Sequence, residues 1–96
     1  MTDTEIQAAL KGRPEWRVVN AKLHRDLQFA DFVQAFSFMT SVALVAESMG
    51  HHPEWSNVYN RVTIDLTTHD AGGISDKDFA LAEKIDQLAS AATRKP

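Results

Sequence analysis

The 96-residue sequence contains no cysteine. That absence excludes disulfides, a thiolate metal site and a cysteine nucleophile. Glycine and proline are scarce, with four and three copies; no repeat, low-complexity run or linker divides the chain, and each Gly or Pro punctuates one specific turn. Positive charge is not in excess. Ten Lys and Arg against thirteen Asp and Glu leave a net charge of −3, whereas a protein that grips a nucleic-acid backbone shows a basic face. The start, Met1-Thr2-Asp3-Thr4-Glu5, is polar and acidic, unlike a secretory signal. The longest apolar-rich stretch, Phe32 to Met49, is interrupted by Gln34, Ser37, Thr40, Ser41 and Glu47 and reads as too polar to span a bilayer. These features predict a soluble cytoplasmic protein with no direct nucleic-acid partner and no membrane partner. Length and an apolar content of 44% predict one domain, residues 1–96, with one core.

Local patterns predict the elements. Thr2-x-x-Glu5 has the spacing of a capping box and starts a short helix through Leu10, ended by Gly12-Arg13-Pro14. Trp16-Arg17-Val18 alternates as a strand does. Asn20-Ala21 reads as a hairpin turn. Leu23, Leu27 and Phe29 then share one face of a second strand, with Arg25 breaking the pattern. Asp31 caps a main helix to about Met49, where Gly50 ends it in a left-handed conformation. Trp55 to Tyr59 and Val62 to Thr67 read as strands, with Tyr59-Asn60-Arg61 as the turn between them. After the loop Asp70-Ala71-Gly72-Gly73, Ser75-x-x-Asp78 resembles a capping box for a last helix facing the core through Leu81, Ile85, Leu88 and Ala92. The order indicates an α+β fold: two layers, a four-stranded antiparallel sheet with helices on one face, ββαββα plus a short N-terminal helix. Trp16, Phe29, Trp55 and Tyr59 read as core.

The main helix carries two apolar stripes. One is Phe32, Phe36, Met39, Ala43 and Ala46; the other is Ala35, Phe38, Val42, Val45 and Met49. A helix covering a small sheet needs only one. The second meets either the other helices or another subunit. The expectation adopted here is a homo-oligomer, dimer or tetramer, through Phe38, Val42 and Val45.

Three of the four histidines, His51, His52 and His69, fall within nineteen residues. Imidazole exchanges protons near neutral pH. His51-His52-Pro53 lies where helix turns into strand, and His69 lies at a strand end before a Gly-rich loop; such junctions host sites more often than element centres do. Metal ligation is disfavoured by spacing. Adjacent histidines in extended chain point apart, and no H-E-x-x-H helix is present. Proton transfer and plain surface placement both remain open on residue type alone. Glu47 stands i, i+4 from His51 and can hold that imidazole if the helical turn persists. His24, mid-strand, is expected to face solvent and takes no role.

Glu47-x-x-x-His51-His52-Pro53, Tyr59, His69 and Asp78 together resemble the signature of the pterin-4a-carbinolamine dehydratases. Phe38 to Leu44, His51 to Asn60 and Thr67-Thr68-His69 also resemble that family's central segments, so the likeness spans roughly positions 29 to 90. It implies dehydration of a 4a-hydroxytetrahydropterin to a quinonoid dihydropterin and water, in support of tetrahydrobiopterin recycling, with no cofactor and no metal. It implies His51, His52 and His69 as catalytic residues. Glu47, Pro53, Trp55, Thr68, Asp70, Ala71 and Lys77 are then expected to contact the pterin. Gly50, Ala71 and Lys77 stand where relatives can carry an acidic residue, a cysteine and an arginine. Some family members also serve as dimerisation partners of a homeodomain transcription factor, so a non-catalytic pterin-binding or helix-mediated regulatory role is the alternative.

Overall fold

A computed structural model describes residues 1–93 of the chain. The elements follow as α1 (Asp3–Leu10), β1 (Arg17–Val19), β2 (Lys22–Gln28), α2 (Phe32–Met49), β3 (Glu54–Val58), β4 (Arg61–Leu66) and α3 (Asp76–Thr93), with a short 3₁₀ turn at His69–Ala71. The four strands form one antiparallel sheet in the order β1-β2-β4-β3. Helices α2 and α3 pack against each other, and α2 also meets β4. The core between the layers holds Leu23, Leu27, Phe29, Phe38, Val42, Val62, Ile64, Leu66, Leu81 and Ile85. The fold is the α+β arrangement expected.

Local chemistry explains the boundaries. Thr2 accepts from the Glu5 amide and Glu5 reaches back to the Thr2 amide, a complete capping box. The Asp31 side chain accepts from the Gln34 amide at the start of α2. Asn20 and Ala21 form the β1–β2 turn with φ of 52° and 63°, the two positive values a type I′ hairpin requires. Tyr59 and Asn60 form the β3–β4 turn.

The charge in the middle of β2 is explained by a partner distant in sequence. Arg25 faces the helices and pairs with Asp86 of α3, which also accepts from Arg13 at 3.0 Å and from the Trp16 indole at 2.8 Å. One carboxylate thereby joins the segment after α1, the sheet and α3.

Several expectations are corrected. Phe38 and Val42 cannot form a subunit interface, because they are 2% and 0% exposed in the core, and Val45 packs against that core too. With the sheet beneath α2 and α3 beside it, the stripe Ala35, Phe38, Val42 and Ala46 turns inward. The large apolar side chains of α2 left outside are Phe32, Val33, Phe36, Leu44 and Met49. Tyr59 is not core; it is exposed at a hairpin tip with φ of 52°. His24 is not a free surface side chain; it lies between Asp65 and Asp26. By length and composition α2 is apolar enough to cross a membrane, contrary to the sequence reading, but one face of it is built into the core.

Candidate active site

The site is assembled at the end of α2. Gly50 takes φ 63°, ψ 29°, a left-handed cap that costs glycine little. Its amide donates to the Glu47 carbonyl at 3.1 Å, and the His51 amide donates to the Ala46 carbonyl at 3.1 Å. This pair of bonds is the Schellman arrangement. It pins His51 to the helix end while swinging its side chain off the helical path. The expected Glu47–His51 contact is therefore not made. Glu47 Oε1 instead lies 2.8 Å from His52 Nε2. Both members of that pair are open to water, His52 being 66% exposed.

His51 turns inward. Its Nε2 lies 2.5 Å from Oδ1 of Asp78, whose side chain is fully buried, and the imidazole itself is only 11% exposed. Asp78 reaches this position because it is the third residue of α3. Its Oδ2 accepts from the Ser75 amide at 2.9 Å, while Ser75 Oγ accepts from the Lys77 amide at 3.2 Å. The first turn of α3 thus places a buried carboxylate against an imidazole from the end of α2.

Thr68 is buried as well and donates to Asp78 Oδ2 at 2.9 Å. Its backbone closes the following loop: the Thr68 amide donates to the Gly73 carbonyl at 2.9 Å, and the Gly73 amide returns to the Thr68 carbonyl at 3.2 Å. His69 opens the 3₁₀ turn inside that loop, and Gly72 ends it with φ of 73°. His69 is exposed.

Two shallow hollows flank the turn. One, of about 350 Å³, is lined by Thr68, Asp70, Ala71, Ser75, Asp76 and Lys77. Four of the expected pterin contacts therefore share one concavity. The other, of about 380 Å³, contains His69 with Lys22 and Glu54. Another hollow, of about 480 Å³, lies on the open sheet face over Asp26, Ser56, Arg61 and Thr63, and its lining contains no histidine. Pro53 is half-buried between His52 and β3. Trp55 sits across from Ile64 and packs against the core, away from both flanking hollows. Among the described residues, no three His, Asp or Glu side chains are arranged to hold a metal ion.

Residues 1–88 match the family model described as pterin 4 alpha carbinolamine dehydratase. The chain belongs to that family. Its members are hydro-lyases, and this chain is an enzyme of that class. A curated relative from Solibacter usitatus, named for pterin-4-alpha-carbinolamine dehydratase, is 66% identical over 90 residues, 94% of this chain and 95% of its own length. The crystal structure of a transcriptional coactivator/pterin dehydratase from Brucella melitensis superposes with a TM-score of 0.90 at 40% identity, covering 93% of this chain and 97% of that one. A pterin dehydratase-like protein described as a RuBisCO assembly factor in the alpha-carboxysome shares the fold, with a TM-score of 0.69 at 24% identity, over 78% of this chain and 89% of that one.

In this member of the family, the site extends beyond the residues singled out from sequence. Asp78 was legible only as a helix cap and a signature position. Ser75 was legible only as its capping partner. The signal that could have exposed a second duty is the aspartate itself: a buried Asp beyond the reach of water needs more than one donor.

Proposed function

We propose that the chain dehydrates 4a-hydroxytetrahydropterin by histidine acid/base catalysis. The observation that carries this is the buried Asp78 carboxylate held against His51, at the helix end that also presents His52. Hydroxide is a poor leaving group, so the 4a-oxygen must be protonated as the C4a–O bond breaks. The neighbouring ring-nitrogen lone pair moves in to form a carbon–nitrogen double bond, and water departs. Loss of a ring N–H proton then gives the neutral quinonoid dihydropterin. His51 and His69 act as the acid/base groups at the hydroxyl. His52, paired with exposed Glu47, orients the pterin and passes the nitrogen proton to solvent. Thr68, Asp70, Ala71 and Lys77 contact the pterin edge in the hollow beside the His69 turn. The reaction belongs to tetrahydrobiopterin recycling in the cytoplasm.

The test is dehydration of freshly generated 4a-hydroxytetrahydropterin, followed by ultraviolet absorbance. The wild type should accelerate the spontaneous reaction. His51→Ala and His69→Ala should each lose about 10²–10⁴-fold, the usual worth of one general acid or base, and His52→Ala should lose less. No acceleration by folded wild type would overturn the proposal.

A second reading concerns partners. Phe32, Val33, Phe36 and Leu44 leave an apolar face on α2 outside the core, and such patches mark association surfaces. We assign it to self-association, in place of the buried Phe38 and Val42. A partner-binding regulatory role through the same face is the alternative if the chain is monomeric.

A further inference from the structure

We propose that the Thr68 hydroxyl is a positioning group that fixes which nitrogen of His51 faces the substrate, and that Ser75 supports it. The inference rests on His51 acting in the proposed dehydration. It follows from following each proton through the buried cluster.

Asp78 as a carboxylate is an acceptor only. The hydrogen bond between Thr68 Oγ1 and Asp78 Oδ2 at 2.9 Å therefore uses the single Thr68 hydroxyl proton. Thr68 Oγ1 also lies 2.6 Å from Ser75 Oγ. With its proton spent, Thr68 can only accept there, so Ser75 donates. Ser75 Oγ in turn accepts from the Lys77 amide at 3.2 Å. The donors run one way: the Lys77 amide to Ser75, Ser75 to Thr68, Thr68 to Asp78. The Ser75 amide also donates to Asp78 Oδ2 at 2.9 Å.

Oδ2 is thereby saturated, and Oδ1 is left facing His51 Nε2 at 2.5 Å. That nitrogen must donate. In its neutral form His51 is held as the Nε2–H tautomer, and Nδ1 is the atom free to exchange a proton with the pterin. The partner on one ring nitrogen decides the state of the other. Thr68 is also the residue that closes the His69–Gly73 turn through its own backbone. A single residue thus holds Asp78 in the orientation that sets the His51 tautomer and anchors the loop that carries His69.

The test uses the full chain and two substitutions. Thr68→Val keeps the branched shape and removes the hydroxyl; Thr68→Ser keeps the hydroxyl. Heteronuclear NMR of isotope-labelled histidine reads the protonation of each His51 nitrogen without reference to activity. The wild type should show Nε2–H dominant. Thr68→Val should raise the Nδ1–H population and lower kcat about 10- to 100-fold, the range a misplaced catalytic group produces, with KM changed less. Thr68→Ser should restore both. A Thr68→Val protein with wild-type tautomer and rate would overturn the proposal. So would a rate loss with an unchanged tautomer, which marks a purely structural hydroxyl. If the wild type has no dehydratase activity, the proposed function fails while the His51 spectrum still decides this inference.

Discussion

At the scale of single residues, two imidazoles show opposite surroundings. His51 meets one buried carboxylate, whereas His24 lies on the outward face of the sheet between two partly exposed ones. Burial pulls the His24 pKa down, but hydrogen bonds to Asp65 at 2.8 Å and Asp26 at 3.0 Å outweigh it and hold it above the usual 6.5. The His24 hydrogen bond, chiefly, holds Asp26 below its usual 3.8. A raised folded-state value means protonated His24 stabilises the fold fully below about pH 6.5 and loses that contribution as pH rises through the folded value. Depressed Asp26 works in the other sense, contributing above its ordinary range and failing in acid. His24→Gln should therefore narrow the gap in urea midpoint to wild type between about pH 6 and about pH 9. A gap that widens with pH would contradict the sign. Neither imidazole environment was legible in the sequence. The contacts span 27 positions for His51 to Asp78 and 41 for His24 to Asp65. By contrast, caps such as Thr2–Glu5, Asp31 and Gly50 were legible, because each is settled within three or four residues.

At the scale of elements, α2 shows why pattern alone misassigned a face. Both of its stripes are apolar, and helical spacing says only that each is continuous. Which one turns inward depends on where α3 lies, and that is set by long-range packing. The consequence is a pair of opposite outcomes. Phe38→Ala should cost about 3–5 kcal/mol of stability, as large core truncations do, read from denaturant unfolding. Leu44→Glu should leave folding intact by circular dichroism and reduce the sedimenting mass to that of one chain. A wild type that already sediments as a monomer at micromolar concentration would remove the self-association assignment. Strands and turns were more legible. Alternation located β1, β2 and β4 to within a residue or two, and the Asn20-Ala21 turn came from residue type. Tyr59 was misread because an aromatic next to a strand looks like core until the hairpin geometry places it at the tip.

At the scale of the whole molecule, Asp86 joins pieces that packing alone would leave free to slide. It accepts from Arg13, Trp16 and Arg25, groups 61 to 73 positions away. Removing it in Asp86→Ala strands partly buried donors, at about 1–3 kcal/mol. The denaturation midpoint should fall accordingly, while Glu47→Ala, whose contact with His52 is open to water, should shift it hardly at all. The sequence exposed the oddity of Arg25 in an apolar strand face but not the partner that resolves it.

The order in which the chain is made gives the Asp78 contact one more meaning. All four histidines have been synthesised by residue 69, yet the carboxylate that seats His51 comes nine residues later, on α3. Domains condense as the chain emerges from the ribosome. On the proposed mechanism, a chain that lacks α3 holds the imidazoles without the Asp78 anchor. Chains cut short before α3 should then be inert even where they retain strand structure.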